Sequence, residues 1–124
     1  MNWLGDLHSV WGWVAVSFSG LAGLFGIALS IMKRSPGRWF FAAVWSAITA
    51  VLLQVALGLG AMNLEDINPG NQHVFYGVVI SFTLAFAYIY RVQLRKRPAL
   101  SYGLLMLFVM GLGIRGIMTF GKSF

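Results

Sequence analysis

Chemistry in this sequence has to come from very few side chains. Of 124 residues two are His, three are Asp or Glu, and none is Cys. The two imidazoles, His8 and His73, are each followed one helical turn later by glycine, as HSVWG at 8–12 and HVFYG at 73–77. Imidazole is the commonest metal-ligating side chain. Two of them at one depth on two helices form the donor set for bis-imidazole ligation of a b-type haem. In that reading His8 and His73 are the metal ligands, and Gly12 and Gly77 clear the edge of the macrocycle. A chlorophyll-type pigment, with magnesium in place of iron, is the lesser variant. The alternative is that each imidazole is interfacial, bonded to water or to a helix start, with no metal between them.

Scarcity excludes other chemistries. Without Cys there is no disulfide framework, iron–sulfur cluster, thiolate zinc site, covalently attached c-type haem or thiol nucleophile. With Asp6, Glu65 and Asp66 as the only acids, the ligand sets of hydrolytic metal centres can hardly be assembled. No hydrolytic or nucleophilic constellation is present, so any redox role depends on a bound cofactor.

Two further polar residues fall within apolar sequence. Gln54 lies on a stripe of small residues and is expected to face inward, where it needs a partner. Arg115 follows a long apolar run, and an ionisable residue there is a functional candidate by default. It is expected to meet a haem propionate or one of the three acids, or else to snorkel to the interface. The candidate cofactor-binding set is thus His8, His73, Gly12, Gly77, Gln54 and Arg115.

These residues must be positioned by membrane-spanning helices. The chain is 59% apolar and 10% charged, against roughly 45–50% and 25% in soluble domains. Four apolar segments, approximately 10–32, 39–62, 74–90 and 100–120, are each close to the length that crosses about 30 Å of hydrocarbon. The third is short and is expected to begin before His73. Only helices satisfy the backbone there, since four segments are too few for a closed barrel. Pro36, Pro69 and Pro98 all fall in the short connections 33–38, 63–72 and 91–99. The expected fold is an all-α membrane protein, an antiparallel up-down bundle of four transmembrane helices forming one domain over residues 1–124.

The net charge of +6 is topological. Seven of the nine basic residues are Lys33, Arg34, Arg38, Arg91, Arg95, Lys96 and Arg97. The positive-inside rule makes the loops 33–38 and 91–97 cytoplasmic and both termini extracytoplasmic, in a bacterial plasma membrane. Trp3, Trp11, Trp13 and Tyr76 are expected at the outer interface, and Trp39, Tyr88, Tyr90 and Tyr102 at the inner one. No cleaved leader is expected, because no basic residue precedes the first span. Membrane lipids and other subunits of a membrane complex are the expected partners, and nucleic acid is not.

Small residues mark the faces that meet in lipid. Gly12, Ala15, Ser19, Ala22, Gly26 and Ser30 share one side of the first span, with His8 continuing the stripe. Ala43, Ala47, Ala50, Gln54, Gly58 and Ala61 do so in the second, and His73, Gly77, Ser81 and Ala85 in the third. Gly103, Gly111, Gly113 and Gly116 give the fourth a low-bulk side. Such stripes serve close helix packing or keep space for a flat cofactor, and small residues alone do not separate the two. In an antiparallel bundle the first and third helices are diagonal, so their inner faces look at each other across the core.

The stretch LLQVALG at 52–58, continuing to NQHVFYG at 71–77, resembles the helix pair in heme A synthase where a Gln-Val-x-Leu-Gly helix end precedes a helix opening with a haem-ligating His. DLHSVWGW at 6–13 and SGLAGLFG at 19–26 resemble the preceding His-bearing helix of the same half. In that family each half is a four-helix bundle with a His pair near the outer face. The resemblance covers the first three spans; YGLLMLFVMGLGIRG at 102–116 has no counterpart. Only one half-length bundle is present, without a second His pair, and Asp6 precedes His8 by two residues where the family's acid lies one turn before its His. The resemblance therefore implies a haem-binding scaffold with His8 and His73 as axial ligands, and not the synthase activity.

The expected function is that of a small b-type haem-binding electron-transfer protein or an accessory subunit of a respiratory or photosynthetic membrane complex. The alternative is a cofactor-free structural subunit of a larger complex. A small transporter is disfavoured by the lack of a buried acid and of a broken mid-span helix.

Overall fold

The computed structural model describes residues 2–124. It contains four long helices and one short one: α1 (Trp3–Ile31), α2 (Arg38–Leu64), α3 (Asn71–Ile89), α4 (Arg91–Leu94) and α5 (Pro98–Met118). The four long helices are each long and apolar enough to cross a membrane. Among the described residues there is no strand. This is a small all-α four-helix membrane protein.

The helix boundaries follow from local chemistry. α5 begins on Pro98 at its first turn, where a missing N–H leaves no bond unmade. α3 begins at Asn71, ahead of His73 as expected, directly after Gly70 with φ of +86°. That left-handed turn lets the chain pass under the backbone of Lys122, which a Cβ at Gly70 would strike. α1 begins at Trp3 rather than near Val10, so Asp6, His8 and Ser9 belong to the helix instead of preceding it. The reason lies in α2's far end: the Glu65 carboxylate accepts the free N–H groups of Leu4 and Gly5, both at 2.9 Å. A helix start that hydropathy alone would end is held by this distant cap.

Around the bundle, α1 packs along its length against α2 and α5, α3 leans on α5, and α2 and α3 barely touch. The α1–α5 seam is closed by glycine. A Cβ at Gly26 would stand 2.6 Å from the Ala99 carbonyl oxygen, and one at Gly103 would stand 3.0 Å from the Ile27 nitrogen. Backbones approach this closely only where both sides lack bulk.

The bundle is packed at one end and hollow at the other. Phe40, Val44, Ala47, Tyr102 and Met106 fill the end facing the connections at 33–37 and 90–97, with Leu84 from α3 beside them. The other end holds both chain termini, the α2–α3 connection and both histidines. There Gly121 donates to the Pro69 carbonyl at 2.6 Å and Gln72 to the Lys122 carbonyl at 3.1 Å, so the segment after α5 is laced to that connection.

Candidate functional site

His8 on α1 and His73 on α3 meet across the hollow end. Their ring centroids are 5.8 Å apart and their planes nearly perpendicular, at 84°. The expectation of one depth on two diagonal, parallel-running helices is met by this contact.

Each ring is fixed in the same way. His8 Nδ1 lies 3.0 Å from the Gln54 carbonyl oxygen on α2, and His73 Nδ1 lies 2.7 Å from the Gly116 carbonyl oxygen on α5. A carbonyl only accepts, so both Nδ1 atoms carry the hydrogen and donate it. In the neutral imidazole this puts the lone pair of each ring on Nε2, the tautomer typical of metal-ligating histidine; that of His73 has no hydrogen-bond partner among the described residues, and that of His8 faces the Gln54 amide at 3.5 Å. Phe120 adds an edge contact to His73 at 5.3 Å between centroids.

The pair lies between two spaces. Toward the packed core runs a cavity of about 530 Å³, and toward the chain termini lies a smaller one of about 220 Å³; both are lined by His8, His73, Gly58 and Met62. The larger is floored by buried residues of α1 and α5, among them Ala15 and Val109, and walled by α2 and α3. Several of its wall residues, including Leu59 and Phe82, are themselves exposed on the outside of the bundle. The cavity therefore opens sideways, through the gap where α2 and α3 fail to pack. The smaller space is more polar, with Asn2, Asp6 and Ser9 on its wall.

The remaining candidates divide. Gln54 faces inward and bonds α1: its Nε2 donates to the His8 carbonyl oxygen at 2.8 Å and stands 3.5 Å from His8 Nε2, while its Oε1 is buried without a partner. Gly77 borders empty space, since a Cβ there would meet nothing within 4 Å. Gly12 borders the larger cavity and also adjoins Gln54, since a Cβ there would stand 2.8 Å from Gln54 Nε2. Arg115 is the outlying candidate. It is exposed, does not line either cavity, and donates from Nε to the Tyr76 hydroxyl at 3.3 Å. Asp6 lines the smaller space and Glu65 caps α1, so neither acid is its partner.

Two contributors were not singled out by sequence. Gly58 stands where a Cβ would be 2.9 Å from His8 Cε1, so its absence of a side chain admits the ring. Its place on the small-residue stripe of α2 was the available signal. Ser19, 1% exposed, borders the larger cavity, and its Oγ is buried without a partner. Its place on the small-residue stripe of α1 is compatible with packing or with cofactor space.

No group of three or more His, Cys, Asp or Glu that could hold a metal ion exists among the described residues. A macrocycle supplies its own equatorial nitrogens and asks the protein for two axial ligands only. No family model, curated protein or solved structure matches the chain.

Proposed function

We propose that this is a small membrane haem protein that holds a b-type haem between His8 and His73, with the two termini on the extracytoplasmic side and the basic connections on the cytoplasmic side. The observation that carries the reading is the shared wiring of the two imidazoles. Each Nδ1–H is tied to a main-chain carbonyl of a neighbouring helix, which turns both Nε2 lone pairs to accepting, that of His8 meeting only the long 3.5 Å contact from the Gln54 amide, beside one cavity. The ring spacing is compatible: two imidazoles on one metal at about 2.0 Å, with about 1.1 Å from nitrogen to ring centre, stand roughly 6 Å apart. The larger cavity also falls within the roughly 300–1,000 Å³ usual for ligand sites.

Bound haem would supply one-electron transfer. The protein's own residues do the rest of the work. Gln54 and Gly116 carbonyls orient the rings, Gly58 seats His8, and the space beside Gly77 receives the flat edge. Apolar walls exclude water from the larger cavity, while the polar space beside Asn2 and Ser9 suits the acid edge of the macrocycle. The resemblance of 52–58 and 71–77 to heme A synthase agrees with a scaffold of this kind.

An absorption spectrum of protein purified from haem-supplied membranes tests the reading. A Soret band with α and β bands sharpening on reduction is expected, lost or converted to a five-coordinate form in His8→Ala and in His73→Ala. A wild-type protein with no Soret band, or variants with unchanged spectra, would overturn it.

A further inference from the structure

The His pair can be approached from two sides. From the chain termini the way leads through the smaller space, which at about 220 Å³ falls below the roughly 300–1,000 Å³ of ligand sites. The segment after α5 also crosses this end as a strap. Its Phe120 stands edge-on to His73 at 5.3 Å between centroids, its Gly121 donates to the Pro69 carbonyl, and its Ser123 carbonyl accepts from Gln72 Nε2 at 3.0 Å. A rigid macrocycle entering here would have to undo these bonds.

The other side lies between α2 and α3. Among the described residues the interhelical hydrogen bonds of α2 all go to α1: the Trp11 indole donates to the Ala50 carbonyl at 2.9 Å, and Gln54 exchanges bonds with His8. Those of α3 all go to α5 and the strap, from His73 to the Gly116 carbonyl, from Arg115 to the Tyr76 hydroxyl, and from Gln72 to the Lys122 and Ser123 carbonyls. None joins α2 to α3. α3 is also the least buried span, with 11% of its most apolar stretch buried against 28–33% in the other three. These two walls can part without breaking a hydrogen bond.

The mouth between them stands at the depth of the histidines. Leu59 and Met62 on α2 and Val74 and Val78 on α3 line the larger cavity, and all four are exposed on the outside of the bundle. Val74 follows His73 in sequence, and Leu59 follows Gly58, the seat of His8. His73 lies two residues and His8 five residues into its helix, about 3 and 8 Å by helical rise. The mouth therefore opens just inside the interface. At that depth a flat apolar ring can pass sideways from the acyl chains while its acid edge stays among the headgroups, so no carboxylate has to cross hydrocarbon. We propose that the haem site is loaded and emptied sideways, between α2 and α3, with α3 as the wall that yields. This rests on the haem reading and deepens it: the site exchanges its cofactor with the bilayer rather than with water.

The chain has no cysteine, so Leu59→Cys with Val74→Cys gives a unique pair across the mouth, and Gln72→Cys with Ser123→Cys a unique pair across the strap. Each full-length double variant, haem-free and in nanodiscs, is joined with a short bismaleimide or, as its control, capped with a monofunctional maleimide. Haem is supplied in liposomes and uptake is followed by absorbance; loss from protein linked after loading is followed with a soluble haem scavenger. Linking across the mouth should slow both uptake and loss roughly tenfold or more against the capped control, and protein linked after loading should keep its spectrum. Linking across the strap should change neither rate. Equal rates in linked and capped mouth variants, or slowing by the strap link instead, overturns the proposal. The two readings fail in different ways: wild-type protein without a Soret band removes the haem reading and this route with it, whereas a Soret band whose kinetics ignore the mouth link removes the route alone.

Discussion

Gln54 holds His8 from two directions: its main-chain carbonyl accepts from His8 Nδ1 at 3.0 Å, and its side-chain amide donates to the His8 carbonyl oxygen at 2.8 Å. One residue of α2 thus sets both the ring and the backbone of the histidine on α1. Gln54→Leu removes only the side-chain half of this clasp. The loss should be about 0.6–1.7 kcal/mol, the range for interhelical polar contacts in membranes, measured as a lower unfolding midpoint in detergent. The His8 ring keeps its carbonyl partner, so Gln54→Leu should shift a haem spectrum without erasing it.

The Glu65 cap is testable without any ligand. Leu4 and Gly5 N–H groups have no partner inside α1 and rely on this carboxylate. Glu65→Ala should cost about 1–2 kcal/mol and should raise amide hydrogen exchange at Leu4 and Gly5 while leaving mid-helix amides protected. Unchanged exchange at those two amides would show that the cap does not hold the start of α1.

Four spans, their antiparallel order and the meeting of the histidines were legible because they follow from run length, short proline-marked connections and spacing along one helix face. The start of α1 was not, because it depends on a side chain about sixty residues away. Neither was the contact of Gly12 with Gln54: spacing shows that a small residue faces inward, but not that the Gln54 amide stands against it. The gap between α2 and α3 was hidden for a further reason. Residues facing lipid and residues facing an apolar cavity are both hydrophobic, so Leu59 and Phe82 read alike in either place.

The α1–α5 seam separates glycines that are needed from one that is not. Gly26→Ala places a methyl against the Ala99 carbonyl and the Gly103 Cα, at 2.6 and 2.8 Å. The backbones on both sides cannot yield by a rotamer change, so the helices must part, at about 1–3 kcal/mol. Gly111 has nothing within 4 Å of a built Cβ. Gly111→Ala should be neutral or stabilising by up to about 1 kcal/mol through helix propensity. Equal melting temperatures for the two variants would mean that the close approach at Gly26 is not a source of stability.

Gly58 and Gly77 both border the His end, yet their substitutions should act oppositely. A methyl at Gly58 would stand 2.9 Å from His8 Cε1, so Gly58→Ala pushes the ring off its seat on α2. Stability should fall and the Nδ1 bond to the Gln54 carbonyl should weaken, visible as a shifted His8 imidazole NMR signal. Beside Gly77 there is only empty space, so Gly77→Leu should fill part of the cavity without a clash. The ligand-free protein should be as stable or more stable, since a leucine buries apolar area and favours the helix. On the proposed haem reading, uptake should nevertheless be lost, because the leucine fills the space beside Gly77 that the macrocycle edge would take. A Gly77→Leu protein that retains a full Soret band would place the ring elsewhere, and one that unfolds would show that α3 needs this glycine for packing rather than for space.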